Sequence, residues 1–395
     1  MLNILPEFIS NNCTSLLEIK VKCGARIDLG RPKEKPQENK KIFMENLNQI
    51  EFIYRGAIEN LPKIVDIEHS KNILIFTGKK SFENIKPTIE KELTNCKYTY
   101  YNDFSSNPKE EDLERAINNI KRDFDIIVAV GGGSVIDFAK AYKYYIKSNL
   151  KLVAIPTTCG TGSEATQFAV LYKNGEKISL DDKSILPEYA IVDSQFVENN
   201  PKYLKACTAM DAYCQAIESY WAIKSTPLSR EYAKQAMILC KDNIVNYVNT
   251  NDIEIAGKIM QASNFAGKAI NISRTTAAHA LSYKITTKYK IPHGHAVALS
   301  MADLFEANSN INNTNCIDKR GVDFVKNRIK EIIDTIGIIS FKEYWQSLML
   351  NIGLNFNISE LGISNKEEII KFVNIERLKN NPKDISSDLM GFLGM

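Results

Sequence analysis

Apolar residues fall into two rhythms along this chain. Before about Asn200 they come in short unbroken runs stopped by glycine or proline. Asn72–Thr77 (NILIFT) stops at Gly78, Asp125–Val130 (DIIVAV) runs into Gly131-Gly132-Gly133-Ser134, and Leu152–Ile155 stops at Pro156. Runs of that length with such boundaries predict buried strands. A further strand start lies at Ile50 to Tyr54. Residues 108–123 carry charges on one side of a helical pattern, and a second helical pattern follows the glycines through Tyr145. Strands alternating with helices predict a parallel sheet covered on both faces. After Asn200 the runs lengthen to a helical period over 202–223, 228–248, 252–270, 275–288 and 320–351. Near the start, residues 16–27 (LLEIKVKCGARI) look strand-like, and the polar DLGRPKEKPQENKK reads as a linker. The expected organisation is an extension over 1–48, an α/β domain over 49–199, and an all-α domain over 200–395. A chain of 395 residues is long enough to divide this way.

Composition alters this picture little. Hydrophobic residues make up 44% and charged residues 25%, and the net charge is +3. Those values are ordinary for a globular protein and argue against a nucleic-acid partner. No apolar stretch is long enough to span a bilayer. The opening MLNILPEFISNNC lacks the regions of a signal peptide, so a cytoplasmic protein with no membrane partner is expected. The eight cysteines are scattered with no CxxC pair, which speaks against thiolate metal sites and disulfides.

Two loops offer phosphate chemistry. The first, Gly131-Gly132-Gly133-Ser134, joins a strand to a helix. Glycines let backbone approach a phosphate, and a helix N-terminus presents free N–H groups. The same turn also serves as a plain connection. The second, Pro156-Thr157-Thr158-Cys159-Gly160-Thr161-Gly162-Ser163, likewise follows a strand and is rich in hydroxyls. Neighbouring parallel strands bring such loops together at their carboxyl ends, where ligands bind. Capping of a helix by Thr161 or Ser163 is the other reading.

Three of the four histidines fall within residues 279–295. Asp211 and Gln215, four apart on a predicted helix, share a face. Together with His279 and His293 they are a candidate divalent-metal site, although a buried Asp or His is often only a satisfied core group.

With these residues in view, a resemblance is clear. GGGSVIDFAKA, PTTCGTGSEAT, MDAYCQAIESY and HALSY…IPHGHAVA resemble, in order and spacing, the signature blocks of the iron-containing alcohol dehydrogenases. The resemblance implies the dehydroquinate synthase-like fold: an α/β nucleotide domain, a helical metal domain, and an active site in the cleft between them. By position it implies metal ligands at Asp211, His279 and His293, with Gln215 where the family has histidine. An amide oxygen is as neutral as imidazole but harder, which favours Fe²⁺, the expected metal, over Zn²⁺. It implies cofactor contacts from Gly131, Gly132, Gly133, Ser134, Asp137, Thr157, Thr158, Thr161, Ser163 and Lys177. Tyr283 stands where many members have a further histidine, and Tyr283 and His295 are candidates to pass a proton. The strand ending at Phe76-Thr77-Gly78-Lys79-Lys80-Ser81 has no carboxylate for ribose hydroxyls, so NADPH is expected over NADH, with Gly78 and Lys79 near its 2′-phosphate. A homodimer is typical of the family.

Within it, DAYCQAIESYW, AGKAINIS and HALSY…PHGHAVAL look closest to the phosphonoacetaldehyde reductase branch. Residues 16–47 resemble the C-terminal tail of phosphonopyruvate decarboxylase, whose product is phosphonoacetaldehyde. Reduction of that aldehyde to 2-hydroxyethylphosphonate is the function these features imply. Lys268 and Arg274 are candidates for its phosphonate, since arginine can bind two such oxygens at once. The alternatives are an alcohol dehydrogenase for short uncharged aldehydes and a non-catalytic protein that has lost its metal.

Overall fold

The computed structural model describes residues 42–43, 49–79, 82–121, 123–174, 176–371, 373, 375–386 and 389–392. The 1–48 extension lies outside them except for Ile42–Phe43, and so do Lys80 and Ser81. The chain divides into two units. One runs to Thr157 and resumes over Gln167–Phe196, and the other comprises Thr158–Thr166 and everything from Val197.

The first unit is built on a sheet in the order β1-β2-β9-β6-β5-β3-β4. Its strands are β1 (Ile42–Phe43), β2 (Ile50–Ile53), β3 (Asn72–Thr77), β4 (Lys97–Tyr101), β5 (Ile126–Gly131), β6 (Lys151–Pro156) and β9 (Tyr189–Val192). All pair in parallel except β1, which runs antiparallel to β2. The hairpin β7 (Phe168–Lys173) and β8 (Glu176–Asp181) stands apart as a second sheet. Helices α1 (Leu61–Ile67), α2 (Lys86–Glu92), α3 (Glu110–Asn119) and α4 (Gly133–Tyr145) alternate with the strands. Successive side chains of a strand point to opposite faces, so a strand buried on both faces needs apolar residues throughout. Accordingly Ile73, Ile75, Ile126 and Val128 enter one core, and Leu74, Phe76, Ile127 and Ala129 the other.

Strand order places a ligand crevice. The chain leaves β3 for β4 on one side and returns to β5 on the other, so it reverses direction between β3 and β5. Ligands of open α/β sheets bind outside the carboxyl ends at such a reversal. Gly78 and Lys79 follow β3 there, and Gly131–Ser134 end β5 and begin α4.

The second unit is helical: α5 (Lys202–Trp221), α6 (Pro227–Asn249), α7 (Ile253–Ser273), α8 (Ala277–Tyr289), α9 (His293–Ser309), α10 (Val322–Ile336), α11 (Phe341–Asn351), α12 (Lys366–Lys371) and α13 (Ile375–Leu378). None among the described residues is long and apolar enough to cross a membrane. The threonine-rich loop departs from the expected 49–199 domain, because residues 158–166 pack with the helices. A Cβ on Gly160 would lie 2.6 Å from the Thr208 carbonyl oxygen of α5. Gly162 sits in the left-handed region (φ 59°), where a Cβ would lie 2.5 Å from Cα of Gly267 in α7. Both glycines permit backbone-to-backbone packing that a side chain would block.

Candidate active site

Helix α5 presents Asp211, Gln215 and Glu218 at i, i+4 and i+7, one face of a helix. All three are buried, Glu218 completely. Two other helices bring histidines to that face. His279 lies in the first turn of α8, and His293 opens α9 behind Pro292. Gly294 makes this second approach possible. A Cβ there would lie 1.9 Å from the Cys207 carbonyl oxygen and 2.8 Å from Cβ of Asp211, so only glycine lets α9 rest on α5.

One ligand atom each from Asp211, His279 and His293 falls within 4.8 Å of the others. His279 Nε2 is 3.2 Å and His293 Nε2 4.0 Å from Asp211 Oδ1. Bonds of roughly 2.0–2.2 Å from one cation would set such atoms about 3–4 Å apart, so the cluster fits one ion with little movement. Gln215 adds a second sign. Its Oε1 is buried with no hydrogen-bond partner, while its Nε2 reaches the Thr161 carbonyl only at 3.5 Å. The Gln215 side chain also hydrogen-bonds to Asp211, so it stands beside that carboxylate, and a buried acceptor left without a donor there is a candidate ligand for a cation. Oxygen and nitrogen donors of this kind suit a divalent metal.

Glu218 orients the site. Its Oε1 accepts the backbone N–H of Thr276 (3.1 Å) and Ala278 (2.8 Å) and the Thr276 hydroxyl (2.8 Å). Helix α8 has no side-chain cap of its own, so this carboxylate takes the free N–H groups at its start, where an anion is favoured. Its Oε2 takes the His279 Nδ1 proton. That contact fixes the ring's orientation and points Nε2 toward Asp211, where it would offer its lone pair to a bound cation. Burial opposes charge on all three groups, but mutual attraction outweighs it. The His279 pKa is raised by Glu218 and Asp211, and those of Asp211 and Glu218 are lowered by His279 and other donors.

The remaining expected residues find varied places. Tyr283 lies nearly parallel to His293, ring centroids 6.4 Å apart at 14°. His295 is turned elsewhere: Nε2 donates to the Asn355 carbonyl at 2.6 Å, and Nδ1 lies 3.1 Å from the Tyr203 hydroxyl. Both nitrogens are engaged, and burial lowers its pKa. Lys268 is 2% exposed, its ammonium 5.5 Å and 5.8 Å from the Phe265 and Tyr232 rings. Arg274, at φ 66° after the last turn of α7, folds its guanidinium onto the Asn271 carbonyl. These contacts set both cations into the helical packing.

In the α/β unit, a Cβ on Gly131 would lie 2.5 Å from Val135, so this glycine permits close strand–helix packing. Gly132 precedes α4, and Gly133 and Ser134 form its first turn. No side chain caps it, which leaves those N–H groups for an anion. Thr157 N–H donates to the Gly131 carbonyl at 3.0 Å, so the ends of β5 and β6 leave the sheet side by side. The Asp137 carboxylate accepts from Val170 N–H at 3.0 Å and ties α4 to the hairpin, on which Lys177 stands opposite Tyr172. Lys79 is exposed and Gly78 half-buried. In the helical unit, Thr158 is half-buried, and the Thr161 hydroxyl accepts from Ser163 N–H at 3.3 Å.

Comparison with known proteins agrees with this architecture. Residues 50–194 match the family description "Iron-containing alcohol dehydrogenase", and residues 205–390 match "Fe-containing alcohol dehydrogenase family, C-terminal". Among curated relatives, the phosphonoacetaldehyde reductase of Streptomyces viridochromogenes is 29% identical, over 54% of this chain and 60% of its own length. The 4-hydroxybutyrate dehydrogenase of Clostridium kluyveri is 33% identical over 50% and 59% respectively. The chain thus spans about three-fifths of the length of these two. The NADPH-dependent butanol dehydrogenase of Clostridium saccharobutylicum is 29% identical over 67% and 74%. Of solved structures, the sulfoacetaldehyde reductase of Bifidobacterium kashiwanohense shares the fold at TM-score 0.77 and 24% identity, covering 85% of this chain and 94% of its own. Both halves of the described chain therefore carry one signature, and the protein belongs to the iron-containing alcohol dehydrogenase family.

Proposed function

We propose that this protein is a metal-dependent, NAD(P)H-linked aldehyde reductase whose substrate is phosphonoacetaldehyde and whose product is 2-hydroxyethylphosphonate. The observation that carries the reading is the donor set of buried Asp211 and His279 and half-buried His293, with the unpartnered oxygen of buried Gln215 on the same helix face as Asp211. Asp211, His279, His293 and Gln215 would hold a divalent metal, with Fe²⁺ expected. When bound, such a metal supplies Lewis acidity toward a carbonyl oxygen. Glu218 keeps His279 in the ligating tautomer, and Gly294 keeps His293 close to Asp211. The uncapped first turn of α4, at Gly133 and Ser134, would hold the cofactor's pyrophosphate. A bound nicotinamide would supply the hydride that reduces the carbonyl carbon, which leaves one proton for the protein to bring to the oxygen. Tyr283, stacked on His293, is the candidate to pass that proton. Balance requires one aldehyde, one NAD(P)H and one proton for each alcohol and NAD(P)⁺.

The substrate assignment is supported by the relative named phosphonoacetaldehyde reductase and by the resemblance of the DAYCQAIESYW block to that branch. Preference for NADPH is supported by the missing carboxylate after β3. A second reading, reduction of uncharged aldehydes, is favoured by the longer match to a butanol dehydrogenase. Turnover of phosphonoacetaldehyde against butyraldehyde, each with NADPH and NADH, separates these readings. Faster use of butyraldehyde would replace the first with the second. A cytoplasmic homodimer is part of the proposal, and light scattering of the purified chain tests the dimer.

A further inference from the structure

The metal cluster is closed on one side and open on the other. The side chains of Asp211 and His279 are 5% and 4% exposed, whereas that of His293 is 33% exposed. A small substrate therefore reaches the donor set past His293. Tyr283 lies flat along that imidazole, and the guanidinium of Arg377 in α13 sits 5.2 Å from the centre of the Tyr283 ring. The guanidinium also donates from Nη1 to the Thr275 hydroxyl. Thr275 immediately precedes Thr276, whose N–H and hydroxyl hold Glu218, which in turn holds His279. Arg377 is thus tied to residues adjoining both histidine ligands, and through Tyr283 to the open one.

We propose that Arg377 binds the acidic group of the aldehyde substrate and sets a preference for short anionic aldehydes over uncharged ones. The proposal rests on the reductase reading of this site but not on which acid the substrate carries. A guanidinium is a planar fork that takes two oxygens of a phosphonate, sulfonate or carboxylate. Its aromatic support and the Thr275 bond fix its orientation before the anion arrives, so little side-chain entropy is lost on binding. Lys268 and Arg274, the cations suggested by the sequence, have contacts of their own within the helical packing.

The test uses metal-loaded full-length protein, with methylphosphonate as a non-reacting probe followed by calorimetry. Arg377→Met should weaken its binding about 30-fold or more, the loss expected when charge-assisted hydrogen bonds are removed. Arg377→Lys, which keeps charge but not the fork, should recover part of it. In turnover, the ratio of kcat/KM for phosphonoacetaldehyde to that for propanal should fall by a similar factor in Arg377→Met. Unchanged methylphosphonate affinity in a folded variant overturns the proposal, as do equal losses on the two aldehydes or a wild type that does not bind the probe. Should Arg377→Met fail to fold, Arg377→Lys decides by the same ratio. A wild type that binds methylphosphonate through Arg377 yet does not reduce phosphonoacetaldehyde would refute the substrate named above while leaving Arg377 as an anion-binding residue.

Discussion

Replacing Glu218 with glutamine keeps the shape of the side chain and removes its charge. The amide oxygen can still take the N–H groups of Thr276 and Ala278, so the start of α8 stays capped. The amide nitrogen then faces His279 Nδ1, where the carboxylate had accepted a proton. Two donors cannot meet there, so His279 shifts its proton to Nε2 and turns an N–H rather than a lone pair toward Asp211. Restoring the ligating tautomer costs part of the metal's binding energy. Changes to the groups that orient metal-bound histidines typically lower metal affinity about 10–100-fold, or about 1.4–2.8 kcal/mol. Competition between the protein and a chelator of known affinity measures this, with circular dichroism as the check on folding. Metal affinity equal to wild type in a folded Glu218→Gln variant would refute the argument that Glu218 sets the tautomer.

Other predictions follow from close packing and charge. Gly294→Ala puts a Cβ 1.9 Å from the Cys207 carbonyl oxygen, so it should destabilise by about 3 kcal/mol or more in urea denaturation and lose metal as His293 moves off α5. Gly267→Ala sets a Cβ 2.7 Å from the Gly162 carbonyl oxygen and should cost about 1–3 kcal/mol in the same assay. Burial raises the pKa of Asp112, but hydrogen bonds from Ser105, Lys109 and Arg115 outweigh it and bring it to about 2. A carboxyl depressed on folding stabilises above its unfolded pKa of roughly 3.9, and this stabilisation is lost as pH falls toward 2. The stability gap between wild type and Asp112→Asn should therefore shrink from pH 5 to pH 2 in thermal melts, and a constant gap would contradict the assignment.

Much of this architecture is legible in the chain, for identifiable reasons. β3 coincides with the expected run because it is buried on both faces and stopped by Gly78. β4 (KYTYY) was missed because an edge strand need not be apolar, and its residues are half-buried or exposed. The expected helix over 320–351 is two helices, broken at Gly337, whose φ of 74° suits the end of a helix. Helix α9 was hidden because proline and glycine at its start read as a turn, although Gly294 is there to let α9 approach α5. Glu218 stood in a quoted block, and extending the Asp211–Gln215 spacing by three residues would have found it. Arg377 left no local sign, because its relation to Tyr283 and Thr275 arises from tertiary packing across distant segments. The contacts of His295 with Asn355 and Tyr203 left no local sign either, because those partners lie far away in the sequence.

The central claim, a functional metal held by Asp211, Gln215, His279 and His293, is tested most directly by elemental analysis of gently purified protein beside an assay of aldehyde reduction before and after chelation. The account predicts one divalent metal per chain, loss of activity on chelation and its return when Fe²⁺ is restored, with Asp211→Asn and His293→Ala retaining no metal. Protein that carries no metal and reduces its aldehyde undiminished in chelator would contradict it.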